Sequence, residues 1–201
     1  MSGITIALTG ASGIQYGLRL LQALTEAGEE THLLLSEAAR IVADTEAEIP
    51  LPRRNRELHR SLCQHLDVDP ALLHIHGEQQ WTSRLASGSA APERMVICPC
   101  TTGTLAAIAS GQSNTLLERA ADVVLKERGQ LVVVPRETPL STIHLEHMLT
   151  LARLGVVVLP ACPGFYHGPQ EVRDLIDFVV ARVLDHLDVA HRLGPRWAHD
   201  R

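Results

Sequence analysis

Five short apolar runs, Ile4–Leu8, Thr31–Leu35, Met95–Cys98, Leu131–Val134 and Val156–Leu159, lack strict polar alternation, and each stops at a loop of glycine, proline or hydroxyl residues. Strands without alternation are buried on both faces. Helical patterns separate them, at 14–27, 37–46, 102–109, 115–127, 141–153 and 171–187. Strands covered on both sides and joined through helices imply an α/β protein, a three-layer α/β/α Rossmann-like sandwich around a mostly parallel sheet. In such sheets ligands bind beyond the carboxyl ends of the strands. The five loops, Thr9 to Gly13, Ser36, Pro99 to Thr104, Pro135 to Pro139 and Pro160 to Tyr166, are therefore expected to share one edge and one site.

Segment 47–92 breaks the rhythm. With Pro50, Pro52, Pro70, Pro92 and the small-residue run Ala86 to Ala91, it reads as an irregular insertion or lid. Residues 188–201 read as a C-terminal tail, and the whole of 1–201 as a single domain large enough to bury a core. A net charge of −5, with no basic block beyond Arg53-Arg54-Asn55-Arg56, argues against a nucleic-acid partner. The chain enters a strand directly, without a cationic leader. No apolar run approaches the roughly 20 residues that cross a bilayer, so a cytoplasmic protein without membrane insertion is expected.

Gly10-Ala11-Ser12-Gly13 joins the first strand to the first helix, where unpaired N–H groups and the helix dipole favour a phosphate. Gly10, Gly13 and Gly17 do not match G-x-G-x-x-G. A dinucleotide fold also wants an acidic residue at the end of the second strand, and Ser36 stands there, which favours a mononucleotide such as a flavin. Thr101, Thr102, Gly103 and Thr104 sit at another strand-to-helix junction, either as a helix cap or as ligand contacts.

Arg136 and Glu137 lie in a stretch stiffened by Pro135 and Pro139. The arginine suits an anion and the glutamate a proton-transfer role, against the alternative of a simple loop ion pair. Of the 18 lysines and arginines, Lys126 is the one lysine, and a compact ammonium suits a tight phosphate site. Arg182 borders the apolar stripe Val172, Leu175, Ile176, Val179, Val183 and Leu187, as an anion ligand or a snorkelling surface residue. Tyr16, Trp81, Phe165, Tyr166 and Trp197 lie near the loops and suit a flat or apolar ligand. Cys63, Cys98, Cys100 and Cys162 read as reduced thiols, and His74-Ile75-His76 alternates like a strand without a carboxylate at metal spacing, so no metal is expected.

Together, Thr9 to Gly17, Ala86 to Ser89, Cys98 to Thr104, Glu118 to Arg128, Val134 to Pro139 and Gly164 to His167 closely resemble the flavin prenyltransferase family of the UbiX type, from about residue 4 to 197. The resemblance implies a flavoprotein sandwich that binds reduced FMN and a dimethylallyl phosphate, alkylates the flavin at N5 and then C6, and needs no metal. It also implies a homo-oligomer, a dodecamer, that supplies prenylated FMN to a UbiD-type decarboxylase in ubiquinone biosynthesis or aromatic acid metabolism. By position, Gly10, Ala11, Ser12, Ser36, Thr101, Thr102, Gly103, Thr104 and Arg136 would contact FMN. Tyr166, Arg182, Lys126 and Arg119 would hold the prenyl phosphate, and Trp81 and Trp197 would wall the prenyl chain. Ser12, Glu46, Glu137 and Lys126 would carry the catalysis, the first three by handling protons. Thr101 stands where the family often has serine; the hydroxyl is kept.

An allylic phosphate that ionises needs fixed cations for the leaving phosphate and aromatic faces for the allyl cation, which these residue types supply. Two other readings remain open from sequence. One is a flavin-dependent cysteinyl decarboxylase, whose Pro-Ala-Ser-Ala-Asn-Thr segment differs from Pro99-Cys100-Thr101-Thr102; the other is a non-catalytic FMN carrier.

Overall fold

The computed structural model describes residues 3–194. In chain order the elements are β1 (Ile4–Leu8), α1 (Ile14–Glu26), β2 (Thr31–Leu35), α2 (Glu37–Glu46), α3 (Asn55–Leu66), β3 (Leu73–His76), a 3-10 turn (Arg84–Ala86), β4 (Arg94–Cys100), α4 (Thr102–Ala109), α5 (Leu116–Lys126), β5 (Gln130–Pro135), α6 (Thr142–Arg153), β6 (Val157–Val158) and α7 (Val172–His186). The six strands form one sheet in the order β3-β2-β1-β4-β5-β6, and every pairing is parallel. From β1 the chain builds outward through β2 and β3, then returns to place β4 on the other side of β1. The strand order thus reverses between β1 and β4, the position where open α/β sheets leave a crevice at their carboxyl edge.

Two apolar clusters explain why the runs lack alternation. One face of the sheet, through Ile4, Ile6 and Leu8, packs on residues of α1, α2, α3 and α7. The other, through Ala7, Ile97 and Val133, packs on α4, α5 and α6. Consecutive residues of β1 point to opposite faces and all five are buried, so neither face alternates with solvent-facing polar residues, and the one polar residue, Thr5, is itself buried. Each fully buried Leu or Ile contributes roughly 1.5–3 kcal/mol to the fold. At Gly17 the backbone of α1 approaches the sheet so closely that a Cβ would overlap the Cys98 carbonyl oxygen.

Segment 47–92 departs from the expected irregular insertion: it contains α3 and β3, and β3 is an edge strand of the main sheet. Only Leu58, Ser61 and Leu62 of α3 are buried, so its apolar stripe is short and interrupted, and β3 has four residues. A brief pattern at a sheet edge leaves little trace in sequence. Beyond α7, Val189 is buried and Leu193 packs on the α1/α7 side of the core. All four cysteines are free; burial pushes the Cys98 and Cys100 thiols well above the usual range, which keeps them protonated.

Candidate functional site

The crevice at the strand reversal is built by Thr9. Its hydroxyl donates to the Pro99 carbonyl at 2.8 Å and accepts the Thr101 N–H at 2.8 Å, fastening the β1–α1 loop to the β4–α4 loop. Both Thr9 bonds are buried or nearly so; the sequence places Thr9 at the head of the first loop, but nothing local marks it as a fastener. On the far side of β1, the Ser36 N–H donates to the Leu8 carbonyl, and the Ser36 hydroxyl accepts the Ala39 N–H as the N-cap of α2. Ser36 and Thr101 therefore flank the Gly10 loop from the two neighbouring strands.

The first turn of α1 does not stand open as a phosphate cradle. Gly13 is in the left-handed region at φ 96° and offers no side-chain cap, and its N–H donates to Glu46 Oε2 at 2.7 Å. Gln15 Nε2 donates to the Glu46 backbone carbonyl at 2.9 Å. Partial burial pushes the Glu46 carboxyl up, but the Ser12 hydroxyl, the N–H groups of Gly13 and Ile14, and Arg136 together outweigh it and hold it below its ordinary range. A carboxylate at the positive end of a helix occupies the place an anionic ligand would take.

The first turn of α4 is different. The Thr101 hydroxyl accepts the Thr104 N–H at 3.1 Å and donates to the Thr104 hydroxyl at 2.9 Å, so Thr101 is a cap. The N–H groups of Thr102 and Gly103, the first two helical positions, have no intrahelical partner by helix geometry and point out of the carboxyl edge.

A cavity of about 850 Å³ opens beside this crevice, between α1, the end of α2 and the start of α7. Ser12, Tyr16, Glu46 and Arg136 line one part, and Arg19, Ile49, Val172 and Ile176 line the rest. Arg136 Nε donates to the Ser12 carbonyl at 3.1 Å, which sets a guanidinium at the mouth. Burial, with smaller effects of Cys98 and Cys162, pushes the Tyr16 phenol up, so it remains a hydrogen-bond donor. Arg19 Nε meets Asp177 Oδ1 at 2.7 Å across the α1–α7 seam, with both side chains largely buried. That pair was not apparent in sequence, because its partners are 158 residues apart.

Other expected site residues lie elsewhere. Glu137 is exposed and accepts the neighbouring Thr138 N–H, outside the cavity lining. Lys126 ends α5 and pairs with Glu127, just before Gln130 opens β5, so it lies at the amino edge of the sheet, opposite the loops. Arg119, one layer below the sheet on α5, donates to the Ala86 carbonyl and to Asp122. Arg182 does not point into the core; it is 51% exposed and donates to Asp185 Oδ2 at 2.6 Å. It follows Phe178 by one turn of α7, and Tyr166 sits edge-on to that phenylalanine at 5.7 Å. Tyr166 and Arg182 thus share a face of α7, whereas Arg119 and Lys126 belong to α5 in the opposite layer. Trp81 is 45% exposed, in the loop after β3; Trp197 lies outside the described residues. Among the described residues no group of three or more His, Cys, Asp or Glu has the arrangement to hold a metal ion, and no helix is long and apolar enough to cross a membrane.

Residues 2–184 match the model of the Flavoprotein family. The chain is 53% identical to the flavin prenyltransferase UbiX of Pseudomonas aeruginosa over 98% of its length and 96% of that protein. It superposes with a TM-score of 0.86 on a dodecameric FMN-dependent UbiX-like decarboxylase from Escherichia coli O157:H7, at 41% identity over 96% of this chain and 98% of that one. The crystal structure of AnUbiX in complex with FMN and dimethylallyl pyrophosphate gives a TM-score of 0.82 at 38% identity, over 96% and 97% of the two chains.

Proposed function

The chain belongs to the flavoprotein family, and we propose that it acts there as a flavin prenyltransferase of the UbiX type, joining a dimethylallyl group from a dimethylallyl phosphate to N5 and C6 of reduced FMN. The observation that carries this reading is the full-length identity of 53% to a flavin prenyltransferase, on a fold whose strand reversal opens onto a flavin-sized cavity of about 850 Å³. The crevice and the cavity beside it suit FMN: the crevice offers open N–H groups at Thr102 and Gly103, and the cavity a cation at Arg136 for negative charge, with Tyr16 and Ile49 as apolar wall. Reduced FMN supplies the nucleophilic atoms. Gly10, Ala11, Ser12, Ser36, Thr101 to Thr104 and Arg136 hold it, and the Glu46 carboxylate, kept ionised by its donors, takes a proton through the Ser12 hydroxyl. Glu137, on the rim beside Arg136, serves as a second proton carrier.

Tyr166, Arg182, Arg119 and Lys126 hold the prenyl phosphate, with Trp81 and Trp197 beside the prenyl chain. The first two and the next two flank the sheet on opposite faces, so one protomer does not assemble all four. A homo-oligomer in which copies complete each other's sites, a dodecamer, answers that geometry. The product then passes to a UbiD-type decarboxylase in the cytoplasm. Anaerobic incubation of the purified protein with reduced FMN and dimethylallyl phosphate, followed by mass analysis of the flavin, tests the reading. A flavin that gains no C5 unit would sink it.

A further inference from the structure

Three histidines that the proposed reaction does not use lie together under the loop after β3. The parallel register of β2 and β3 sets His32 opposite His74 and Leu34 opposite His76, all on the face that packs against Leu85 and α5. The His32 ring stacks on His74 at 5.1 Å and lies 5.2 Å from His76.

The Glu30 carboxylate, 3.7 Å from His32 Nε2, favours the His32 proton on that nitrogen, which leaves His32 Nδ1 to accept from His76. The Ser83 hydroxyl accepts the Leu85 N–H at 3.2 Å and gives its own hydrogen to His76 Nδ1 at 2.8 Å. His76 then carries its proton on Nε2 and donates to His32 Nδ1 at 3.1 Å. The His32 proton is left on Nε2, which is buried, has no hydrogen-bond partner and lies 3.7 Å from Glu30 Oε1. That carboxylate is shared with His74 Nε2 at 3.1 Å and Arg84 at 3.9 Å. A proton added to His32 would set N–H against N–H, unless His76 moved its own proton to Nδ1 and Ser83 turned its hydrogen away. Burial, with His76, His74 and Arg84 around it, pushes His32 down to about 3, and burial with His74 and Arg84 lowers His76. Among the described residues, Glu30 is the carboxylate packed against the rings, and it favours their charge.

The chain ends on the segment that orients α5. Within 77–92, the Glu78 carbonyl accepts the Leu116 N–H at 2.8 Å and the Ala86 carbonyl accepts Arg119 Nε at 3.1 Å. Gly88 lies so near α5 that a Cβ would overlap the carboxylate of Glu127, the partner of Lys126. Trp81 is in the same segment. We propose that His32 and His76 are positioning residues for the prenyl-phosphate cations: with Ser83 they latch the 77–92 segment, and through it Arg119 and Lys126, while the histidine chain is neutral. This rests on the reading above that Arg119 and Lys126 hold the phosphate.

The test is the KM for dimethylallyl phosphate of the full-length enzyme with saturating reduced FMN, taken as the ratio of variant to wild type from pH 8 to 5.5, which cancels the substrate's own titration. His76→Phe and Ser83→Ala each raise the ratio about fivefold at pH 8, the equivalent of one net hydrogen bond. The ratio stays about fivefold down to pH 5.5, because His32, pushed down to about 3, keeps the latched wild type neutral over that range, and FMN affinity stays level. Amide hydrogen exchange in 77–92, corrected for intrinsic rates, is several-fold quicker in His76→Phe than in the wild type while exchange in β1 is not. A ratio near one throughout, a ratio that has fallen to one by pH 5.5, a parallel loss of FMN affinity, or unchanged exchange overturns the latch. Arg119→Ala separates the two ideas: if it leaves KM unchanged, the assignment of the phosphate cations fails; if it raises KM while His76→Phe does not, only the latch fails.

Discussion

The Glu46 carboxylate lies 2.7 Å from the Gly13 N–H, so the last residue of α2 caps the first turn of α1 across 33 residues of chain. A glycine at φ 96° supplies no cap of its own, and the carboxylate fills the gap while keeping its charge beside Ser12 and Arg136. In the function proposed above, capping and proton transfer fall to one side chain.

Glu46→Gln keeps the shape but removes the base, and turnover is expected to fall about 100-fold with FMN affinity changed by less than about twofold. Because the folded Glu46 carboxyl is held below its ordinary value, its contribution to stability is present above the unfolded value and is lost as pH falls through the folded one. Urea midpoints from pH 7 to 3 should therefore converge between wild type and Glu46→Gln. Midpoints that stay parallel over that range would count against an ionised cap.

Ser12→Ala and Lys126→Ala should each be nearly inactive alone. If a site takes Ser12 from one copy and Lys126 from another, a one-to-one mixture refolded together recovers about a quarter of wild-type turnover by random assembly. Recovery no greater than the separate variants would return Lys126 to the surface pair it makes with Glu127.

Arg19 and Asp177 tie α1 to α7 with both side chains largely buried. Arg19→Met leaves Asp177 charged without its main partner and should cost about 2–4 kcal/mol in chemical denaturation, whereas Arg19→Met with Asp177→Leu should recover most of that loss. A double variant as unstable as the single one would show that shape, rather than charge, decides this seam.

His32 titrates far below an unfolded histidine, so the unfolded chain binds more protons and folding weakens as pH falls from about 6.5 toward 3. His32→Gln should flatten the fall in stability over that window, read as the urea midpoint against pH. A slope equal to that of wild type would place the acid sensitivity elsewhere.

Much of the fold was legible because it is written locally. The unalternated runs became β1, β2, β4, β5 and β6, and six helical patterns became α1, α2, α4, α5, α6 and α7 with boundaries close to those expected. The missed elements, α3 and β3, bury few side chains and lie toward a sheet edge, where periodicity is weak. At the site, glycine, proline and hydroxyl punctuation located the loops. It could not reveal Thr9 as their fastener or Arg19 as part of the cavity, because those roles depend on partners 90 and 158 residues away.

By itself the sequence determined the layered α/β class, the loops at the carboxyl ends of the strands and, through its ordered motif blocks, the resemblance to the flavin prenyltransferases, since period and turn chemistry act over a few residues. Only the tertiary structure decided that the Gly10 loop is closed by Glu46 and that α5 and α7 stand on opposite faces of the sheet. Strand order and layer are set by which apolar faces bury one another over long stretches of chain, and no local pattern carries that information. The same packing that buries β1 on both sides separates Lys126 from Ser12.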